Sequence, residues 1–233
     1  MLRRIRLTDT AIPQLFACIY KGPGQDDSDL RVESVLEDRR PSLLTLTHNG
    51  ERVLKLIKPR RWQEYVKLFW FHSRVSKEIR GIRTLSAIGL KTPHVYEVGI
   101  AVLPARDFRN IGYYCMENLS CRGYTEAYKH FKSLSDASEF RAQIVQSLIQ
   151  DLLVMRRHAI VFFDLHLNNL FVVEQAELCW IDAGIIKFRS DSSAKFRRMF
   201  NQSVNRLLTF YREETVMSEQ EKQLIASQCL LSD

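Results

Sequence analysis

Short strand-like runs of mainly apolar residues, separated by polar positions, predict β-strands in the first half of the chain. These runs cover residues 30–36, 43–47 and 52–57. The last two are joined by residues 48–51, His-Asn-Gly-Glu, and Asn-Gly is a strong hairpin signal. The pattern therefore predicts an antiparallel meander. A short helix interrupted near Pro13 is predicted upstream over residues 9–20, and residues 22–29 are predicted to form a loop.

Helical periodicity follows in two longer segments, residues 62–88 and 138–158, and strand-like runs at residues 95–102 and 111–119 lie between them. The first helix is predicted to end at Gly89, before Pro93. The second repeats apolar residues every four positions, with Ser135 or Asp136 as candidate N-caps. The repeat consists of Phe140, Ile144, Leu148 and Leu152.

The second helix leads into three polar residues set in apolar, strand-like sequence. Asp164 is followed by Asn169, and Asp182 comes after a segment that reads as a β-hairpin. Phosphoryl transfer from ATP needs such a group, with one carboxylate to orient a hydroxyl and an Asn and an Asp to hold Mg²⁺. Asp and Asn are also common in ordinary turns. The spacing therefore predicts a phosphoryl-transfer site, with two structural turns as the alternative.

Lys55 lies in mid-strand between apolar neighbours, and Glu78 lies on the same face of the first long helix as Ile82, Leu85 and Ile88. In kinases such a Lys contacts the ATP phosphates and pairs with a Glu on the next helix. Taken singly, each could be a solvated charge. Together with the downstream group they predict an ion pair.

The order of Asp164, Asn169 and Asp182 resembles the catalytic loop and metal-binding turn of the protein-kinase-like superfamily. Residues 53–59, the aromatic and basic helix, and residues 87–93 look like the bacterial lipopolysaccharide core kinases, which include heptose and Kdo kinases. The likeness covers residues 52–189. It implies an α+β, kinase-like bilobal fold, with an antiparallel β-sheet small lobe over residues 1–118 and a mainly helical, truncated large lobe over residues 119–233.

The resemblance implies an ATP- and Mg²⁺-dependent kinase that phosphorylates a heptose or Kdo hydroxyl of the lipopolysaccharide inner core. Asp164 would orient the hydroxyl, Asn169 and Asp182 would bind Mg²⁺, and Glu78 would position Lys55 on the phosphates. The hinge that meets the adenine ring is expected at Met116, Glu117, Asn118 and Leu119. The acceptor would be an anionic glycolipid at the cytoplasmic face of the inner membrane, which the chain would contact peripherally.

Several residues depart from the protein-kinase pattern. No G-x-G-x-x-G lies between the first two strands of the meander, where residues 36–41 read Leu-Glu-Asp-Arg-Arg-Pro. Phe162 and Phe163 precede Asp164 in place of His and Arg, Ala183 replaces the usual Phe, and no A-P-E follows. His166 completes a D-x-H pattern, in which it either orders the loop or faces the phosphates, or has a structural hydrogen-bonding role. These departures point away from protein substrates. The alternatives are a cytosolic small-molecule or Ser/Thr protein kinase, or a pseudokinase binding module.

Composition and charge indicate the kind of partner and the cellular compartment. The 233-residue chain is 45% hydrophobic and carries a formal net charge of +7, which predicts anionic partners. No apolar run approaches the roughly 20 residues of a membrane-spanning helix, and five scattered cysteines suggest a reducing, cytoplasmic setting. Without a recognisable reader motif, no nucleic acid is expected. The aromatic residues from Trp62 to Phe71, which follow the basic residues Lys58, Arg60 and Arg61, either pack in the small lobe or contact a bilayer. A second basic group, from Lys187 to Arg198, either borders the acceptor site or forms a solvated helix face.

Overall fold

The computed structural model describes residues 2–6, 14–21, 30–67, 73–101, 110–210 and 216–231. Over these residues the fold is α+β, as predicted, with one large sheet, two small sheets and several helices. The chain forms two compact units, Met1–Lys77 with Pro93–Arg122, and Glu78–Thr92 with Gly123–Asp233. That these units are the lobes of a kinase-like fold, divided after residue 118, stays a prediction.

The first unit is built on an eight-stranded sheet. Its strands are β1 (Leu2–Arg6), β2 (Gln14–Lys21), β3 (Leu30–Arg31), β4 (Ser34–Asp38), β5 (Ser42–Thr47), β6 (Arg52–Ile57), β7 (Val95–Ala101) and β8 (Gly112–Glu117). They lie in the order β3-β1-β2-β7-β8-β6-β5-β4, and every pair except β1–β3 is antiparallel. The predicted meander β4–β5–β6 is confirmed.

The sheet curls on itself because β3 and β4 stand at its two ends yet are adjacent along the chain. Val32 N–H donates to Arg6 O (3.2 Å), and Glu33 N–H donates to Leu46 O (2.9 Å). One continuous segment thus pairs with β1 at its start and with β5 at its end. Apolar side chains form a core cluster that includes Phe16, Leu30, Leu54, Leu56 and Tyr113.

The helix predicted over residues 9–20 is wrong where the structure describes it. Residues 14–21 form β2, which pairs with β1 on one side and β7 on the other. The run Leu-Phe-Ala-Cys-Ile-Tyr is rich in β-forming residues, and Phe16 is fully buried. Pairing on both sides outweighs a weak local pattern. Residues 22–29, predicted as a loop, lie outside the described residues.

The helix predicted over residues 62–88 is two helices, α1 (Gln63–Val66) and α2 (Arg74–Ala87). Residues 68–72, with Phe69, Trp70 and Phe71, lie outside the described part of the chain. The predicted stop at Gly89 is confirmed. Gly89 has φ +89°, a left-handed conformation that glycine adopts without strain, and Leu90 N–H donates to Leu85 O (3.1 Å) to close the helix end.

The second unit contains helices α3 (Ala127–Ser133), α4 (Glu139–Arg157), α5 (Ala194–Thr209) and α6 (Glu219–Cys229). It also contains strands β9 (Thr125–Glu126), β10 (Ile160–Phe162), β11 (Leu170–Val172), β12 (Leu178–Trp180) and β13 (Ile185–Lys187). α4 is the helix predicted over residues 138–158. Its N-cap is Ser138, whose hydroxyl accepts the Arg141 N–H (3.4 Å), and not Ser135 or Asp136. Its repeat is buried except for Phe140, which is 37% exposed.

A buried arginine links the helices of this unit. The Arg141 guanidinium on α4 donates to both carboxylate oxygens of Glu221 on α6, at 2.7 and 2.8 Å. It also donates to the carbonyls of Phe131 and Leu134 (both 2.9 Å) at the end of α3. Since its charge is paired and its donors are satisfied, the ion pair can be buried without the usual penalty of an unpaired charge. None of the helices in the described residues is long and apolar enough to cross a membrane.

Candidate active site

Asp164 is positioned by the short ladder between β10 and β13. Phe162 pairs with Ile185, and one residue further the Phe163 N–H donates to Gly184 O (2.7 Å). The ladder therefore holds the loop that carries Asp164 against the turn that carries Asp182. Ser203 on α5 supports this ladder with a hydroxyl hydrogen bond to Phe162 O.

Asn169 is positioned by the hairpin of β11 and β12, which the sequence predicts. Leu170 pairs with Trp180, and next to this pair the Ile181 N–H donates to Asn169 O (3.0 Å). Asn169 and Asp182 thus lie at the same end of the hairpin. With the β10–β13 ladder, these bonds bring Asp164, Asn169 and Asp182 to one locus within the second unit.

The buried Asn169 side chain has a fixed orientation. Its Nδ2 donates to the backbone oxygen of Asp164 (2.9 Å), which ties the loop together and leaves Oδ1 as the acceptor atom of the amide. An amide oxygen and a carboxylate are ligand types that Mg²⁺ accepts, and Mg²⁺ at phosphate sites is commonly held by one or two carboxylates and by substrate phosphates. Asn169 and Asp182 are therefore residue types that could hold a magnesium ion.

Asp182 has a strained backbone. Its φ is +52°, in the left-handed region, and the Gly184 N–H reaches back to Asp182 O (2.6 Å). Asp tolerates this region better than most residues because its short polar side chain can bond locally. A conformation of this kind persists only where neighbouring structure enforces it, and such residues cluster at functional sites.

Two side chains surround the Asp164 carboxylate, which is 53% exposed. His166 Nε2 lies 3.6 Å from Oδ2, and Arg206 Nη2 on α5 lies 3.1 Å from Oδ1. The pKa of Asp164 is held below its usual value, most strongly by His166, against the opposing effect of partial burial, and further by the Arg206 charge. Asp164 is therefore a carboxylate at neutral pH.

The His166 ring is held by a neighbouring aromatic ring. The His166 ring stacks on Phe210 at the end of α5, with ring centroids 5.7 Å apart, and its buried Nδ1 has no hydrogen-bond partner in the described residues. Arg206 is not among the basic residues that the sequence singled out, because no periodicity links it to a residue 42 positions earlier. The basic residues Lys187, Arg189, Lys195 and Arg198 are all exposed.

Helix α2 and the turn at Asp182 meet backbone to backbone. A Cβ built on Gly81 would lie 1.8 Å from the Ala183 carbonyl oxygen, and Ala183 is fully buried. Glycine in mid-helix costs about 1 kcal/mol relative to alanine, so it needs a packing reason. Gly81 and Ala183 together let the helix that carries Glu78 pack directly on this turn. Sequence reasoning missed the contact, although glycine in a helix was the available signal.

Gly81→Ala is expected to destabilise the protein by about 1–3 kcal/mol, because the clash is with backbone that cannot rotate away. Helix propensity alone predicts a gain of about 1 kcal/mol for the same change. Urea unfolding distinguishes the two, with Ser86→Ala at an exposed position of α2 as a control that should stay within about 0.5 kcal/mol of wild type. A Gly81→Ala variant as stable as wild type would refute the contact.

A partly buried aspartate on α4 contacts the β12 strand of the hairpin. The Asp151 Oδ2 on α4 accepts the indole N–H of the fully buried Trp180 (2.6 Å). Burial raises the pKa of Asp151 to about 6, although the Trp180 hydrogen bond opposes the shift. In the folded state Asp151 therefore keeps a proton between about pH 4 and 6 that the unfolded chain has released.

Asp151→Asn removes this titration. In wild type, the raised pKa of Asp151 adds to the free energy of unfolding at low pH, and this contribution is lost as the pH rises through about 6. The variant lacks this contribution at every pH. A shift of about two units corresponds to roughly 3 kcal/mol. The unfolding free energy of the variant minus that of wild type should thus increase by about this amount between pH 4 and pH 8, measured in urea. Exposed Asp191→Asn serves as the control, and an equal difference at both pH values would contradict the assignment.

Lys55, which is predicted to contact phosphates, and the β4–β5 turn, which is predicted to lack a glycine-rich loop, both lie in the first unit. Lys55 is only 4% exposed in the middle of β6, with Nζ 5.6 Å from the Tyr114 ring centroid. Glu78 belongs to the second unit, and its ion pair with Lys55 stays a prediction. The β4–β5 connection is a tight hairpin in which Arg39 and Ser42 exchange backbone hydrogen bonds of 2.9 and 3.3 Å. This turn has no room for a glycine-rich loop.

The predicted hinge lies at the end of β8. Met116 is buried, and Glu117 and Asn118 donate their N–H groups to His94 O (2.9 Å) and Glu51 O (3.0 Å). The Asn118 side chain also bonds the β5–β6 turn, at Gly50 O (2.7 Å). Leu119 begins a 3₁₀ helix, whose first amide has no partner within the helix. The role of residues 116–119 in adenine binding stays a prediction.

No cluster of three or more His, Cys, Asp or Glu side chains suited to a metal ion lies among the described residues. Comparison with known proteins found no matching family model and no matching curated protein.

Proposed function

We propose that this chain is an ATP- and Mg²⁺-dependent phosphotransferase with an alcohol group as acceptor. The observation that carries the proposal is the pair of ladders that brings Asp164, Asn169 and Asp182 to one locus, with hydrogen bonds from Phe163 N to Gly184 O and from Ile181 N to Asn169 O. A carboxylate beside an Asn–Asp pair is the set that phosphoryl transfer requires.

Each residue has a distinct part in the proposed reaction. Asn169 and Asp182 would hold Mg²⁺, which neutralises charge on the phosphate oxygens. Lys55 would contact the phosphates. Asp164 would accept a hydrogen bond from the acceptor hydroxyl and align its oxygen for in-line attack on the γ-phosphorus, as the bond to the ADP oxygen breaks. Because its pKa is low, Asp164 acts chiefly by orientation and receives the proton late in the reaction.

For the acceptor we propose a heptose or Kdo hydroxyl of the lipopolysaccharide inner core, at the cytoplasmic face of the inner membrane. The support is the sequence likeness over residues 52–189, together with the departures from protein kinases before Asp164 and after Asp182. Arg206 beside Asp164 adds a cation where an anionic sugar would approach. Mass spectrometry of lipid A–core oligosaccharide from a deletion strain tests this choice. Loss of one core phosphate supports it, and an unchanged phosphate count rules it out.

A second candidate is a pseudokinase that serves as a binding module. The tight β4–β5 turn favours it, because this hairpin offers no backbone loop to cover the phosphates. The two candidates differ in turnover, since only the enzyme converts MgATP to ADP in a reaction that depends on Asp164.

A further inference from the structure

The first unit carries an exposed surface of arginines around a tryptophan that the proposed catalytic chemistry does not use. It is formed by Arg40, Arg60, Arg61, Trp62, Val66 and Lys67, all of which are exposed. Trp62 is 73% exposed, the largest fraction among the exposed large hydrophobic residues of the described chain. A single exposed apolar residue is common on protein surfaces and needs no explanation. An exposed tryptophan with four exposed cations in the neighbouring segments is less usual and suggests a binding surface.

The two segments of this surface are locked together. Lys58 N–H donates to Pro41 O (3.0 Å), and the Arg74 guanidinium donates to both Pro41 O and Lys58 O (3.3 Å each). The Lys58 ammonium also bonds Asp38 and the Arg39 carbonyl. The β4–β5 turn, with Arg40, is thereby held beside the segment that carries Arg60 and Arg61.

The apolar residues of the surface share one helical face. Glu64 N–H donates to Arg61 O and Tyr65 N–H to Trp62 O (both 3.0 Å), so the helical turn begins before α1. Trp62 itself has helical φ and ψ of −55° and −31°. Trp62 and Val66 are four residues apart and lie on the same side, where Val66 is 39% exposed. The result is a small apolar ridge flanked by Arg60, Arg61 and Lys67.

The region carries more positive than negative charge. Residues 37–41 and 58–67 contain six cations and three carboxylates, Glu37, Asp38 and Glu64. Two of these carboxylates are already paired, Glu37 with Arg39 and Asp38 with Lys58. The cations beside Trp62 therefore face solvent with little local compensation, and they complement an anionic partner.

We propose that this surface docks the protein on an anionic phospholipid bilayer. Tryptophan favours the headgroup region, where its ring meets the acyl boundary and its N–H stays hydrated. Each Lys or Arg near an anionic leaflet raises the partition coefficient of the protein onto the membrane about fivefold. The ridge of Trp62 and Val66 enters the interface, and Arg40, Arg60, Arg61 and Lys67 contact lipid phosphates. The surface suits the proposed glycolipid acceptor, but its test does not depend on catalysis.

Co-sedimentation with vesicles tests the surface without nucleotide or acceptor. The wild-type chain should bind vesicles that contain phosphatidylglycerol and not those of phosphatidylcholine alone, and binding should fall as salt rises. Arg60→Ala with Arg61→Ala should lower the partition coefficient at least tenfold, and Trp62→Ala should lower it severalfold. The matched control is Lys129→Ala with Lys132→Ala, which removes two exposed cations from α3 and should change binding less than the loss of one interfacial charge.

Three results would overturn the proposal. They are no binding of wild type to anionic vesicles, equal losses in the Arg60/Arg61 and Lys129/Lys132 variants, and displacement of the bound protein by millimolar glycerol phosphate, which would indicate a soluble phosphate ligand. The charge reversals Arg60→Glu and Arg61→Glu, checked for unchanged thermal unfolding, should abolish binding. Asp164→Ala should bind vesicles as wild type does, so failure of docking and failure of the kinase proposal are distinguishable.

Discussion

Replacement of Asp164 by alanine is expected to lower the rate of phosphoryl transfer by on the order of a thousandfold while ATP binding is retained. The reason is that Asp164 would align the acceptor hydroxyl, and the loss of a positioned proton acceptor costs roughly 10² to 10⁴ in rate. The carboxylate is held in place by its contacts with Arg206 and His166. The measurements are the rate of ADP formation and calorimetric titration with MgATP.

The matched control is Asp191→Ala, at an exposed position between β13 and α5. It removes one negative charge from the same unit and should leave the rate unchanged. Undiminished activity of Asp164→Ala would remove this carboxylate from the mechanism. A loss of MgATP binding equal to the loss of rate would mean that Asp164 supports the fold of the loop instead of the reaction.

Replacement of Asp182 by alanine is expected to eliminate Mg²⁺-dependent ATP binding. Asn169 alone would supply one neutral oxygen ligand, and Mg²⁺ at phosphate sites needs carboxylate charge from the protein. A calorimetric titration with ATP, in Mg²⁺ and again in EDTA, should show an affinity difference for wild type that the variant lacks. The positive φ at Asp182 complicates alanine, so Asp182→Asn, which tolerates this region, should show the same loss with an unchanged unfolding transition.

A variant that binds ATP in Mg²⁺ as wild type does would refute the metal-binding role of Asp182. If Asp182→Ala alone loses binding and Asp182→Asn keeps it, backbone geometry explains the result and the carboxylate does not. The two substitutions thus separate the chemistry of the side chain from the shape of the turn.

Local patterns were sufficient to predict much of this fold. The strands around the Asn49-Gly50 turn are predicted from apolar runs that flank a hairpin signal, and the helix from Glu139 to Arg157 is predicted from apolar residues repeated every four positions. Both are confirmed. Strand β2 was predicted incorrectly because its conformation depends on partners far along the chain, β7 above all. A pattern read over a few residues contains no information on that pairing.

The residues of the candidate site also differ in whether local sequence or distant contacts bring them together. The proximity of Asn169 and Asp182 follows from their spacing, since the intervening hairpin brings both its ends to one place; their role stays a prediction. Arg206, Gly81 and the Asp151–Trp180 hydrogen bond were not found, because each depends on packing between helices and the hairpin. Residues joined by short-range structure leave a signal in their sequence spacing, whereas residues joined only by tertiary contact leave none.

The most direct test of the central claim is ³¹P nuclear magnetic resonance of ATP and Mg²⁺ with the purified chain, in the presence and absence of lipid A–core acceptor. With wild-type protein the γ-phosphate signal should be lost as ADP forms, slowly with water as acceptor and faster with the glycolipid. No detectable loss is expected in EDTA or with Asp164→Ala. An ATP spectrum that stays unchanged with wild-type protein under every condition would contradict the assignment of this chain as a phosphotransferase.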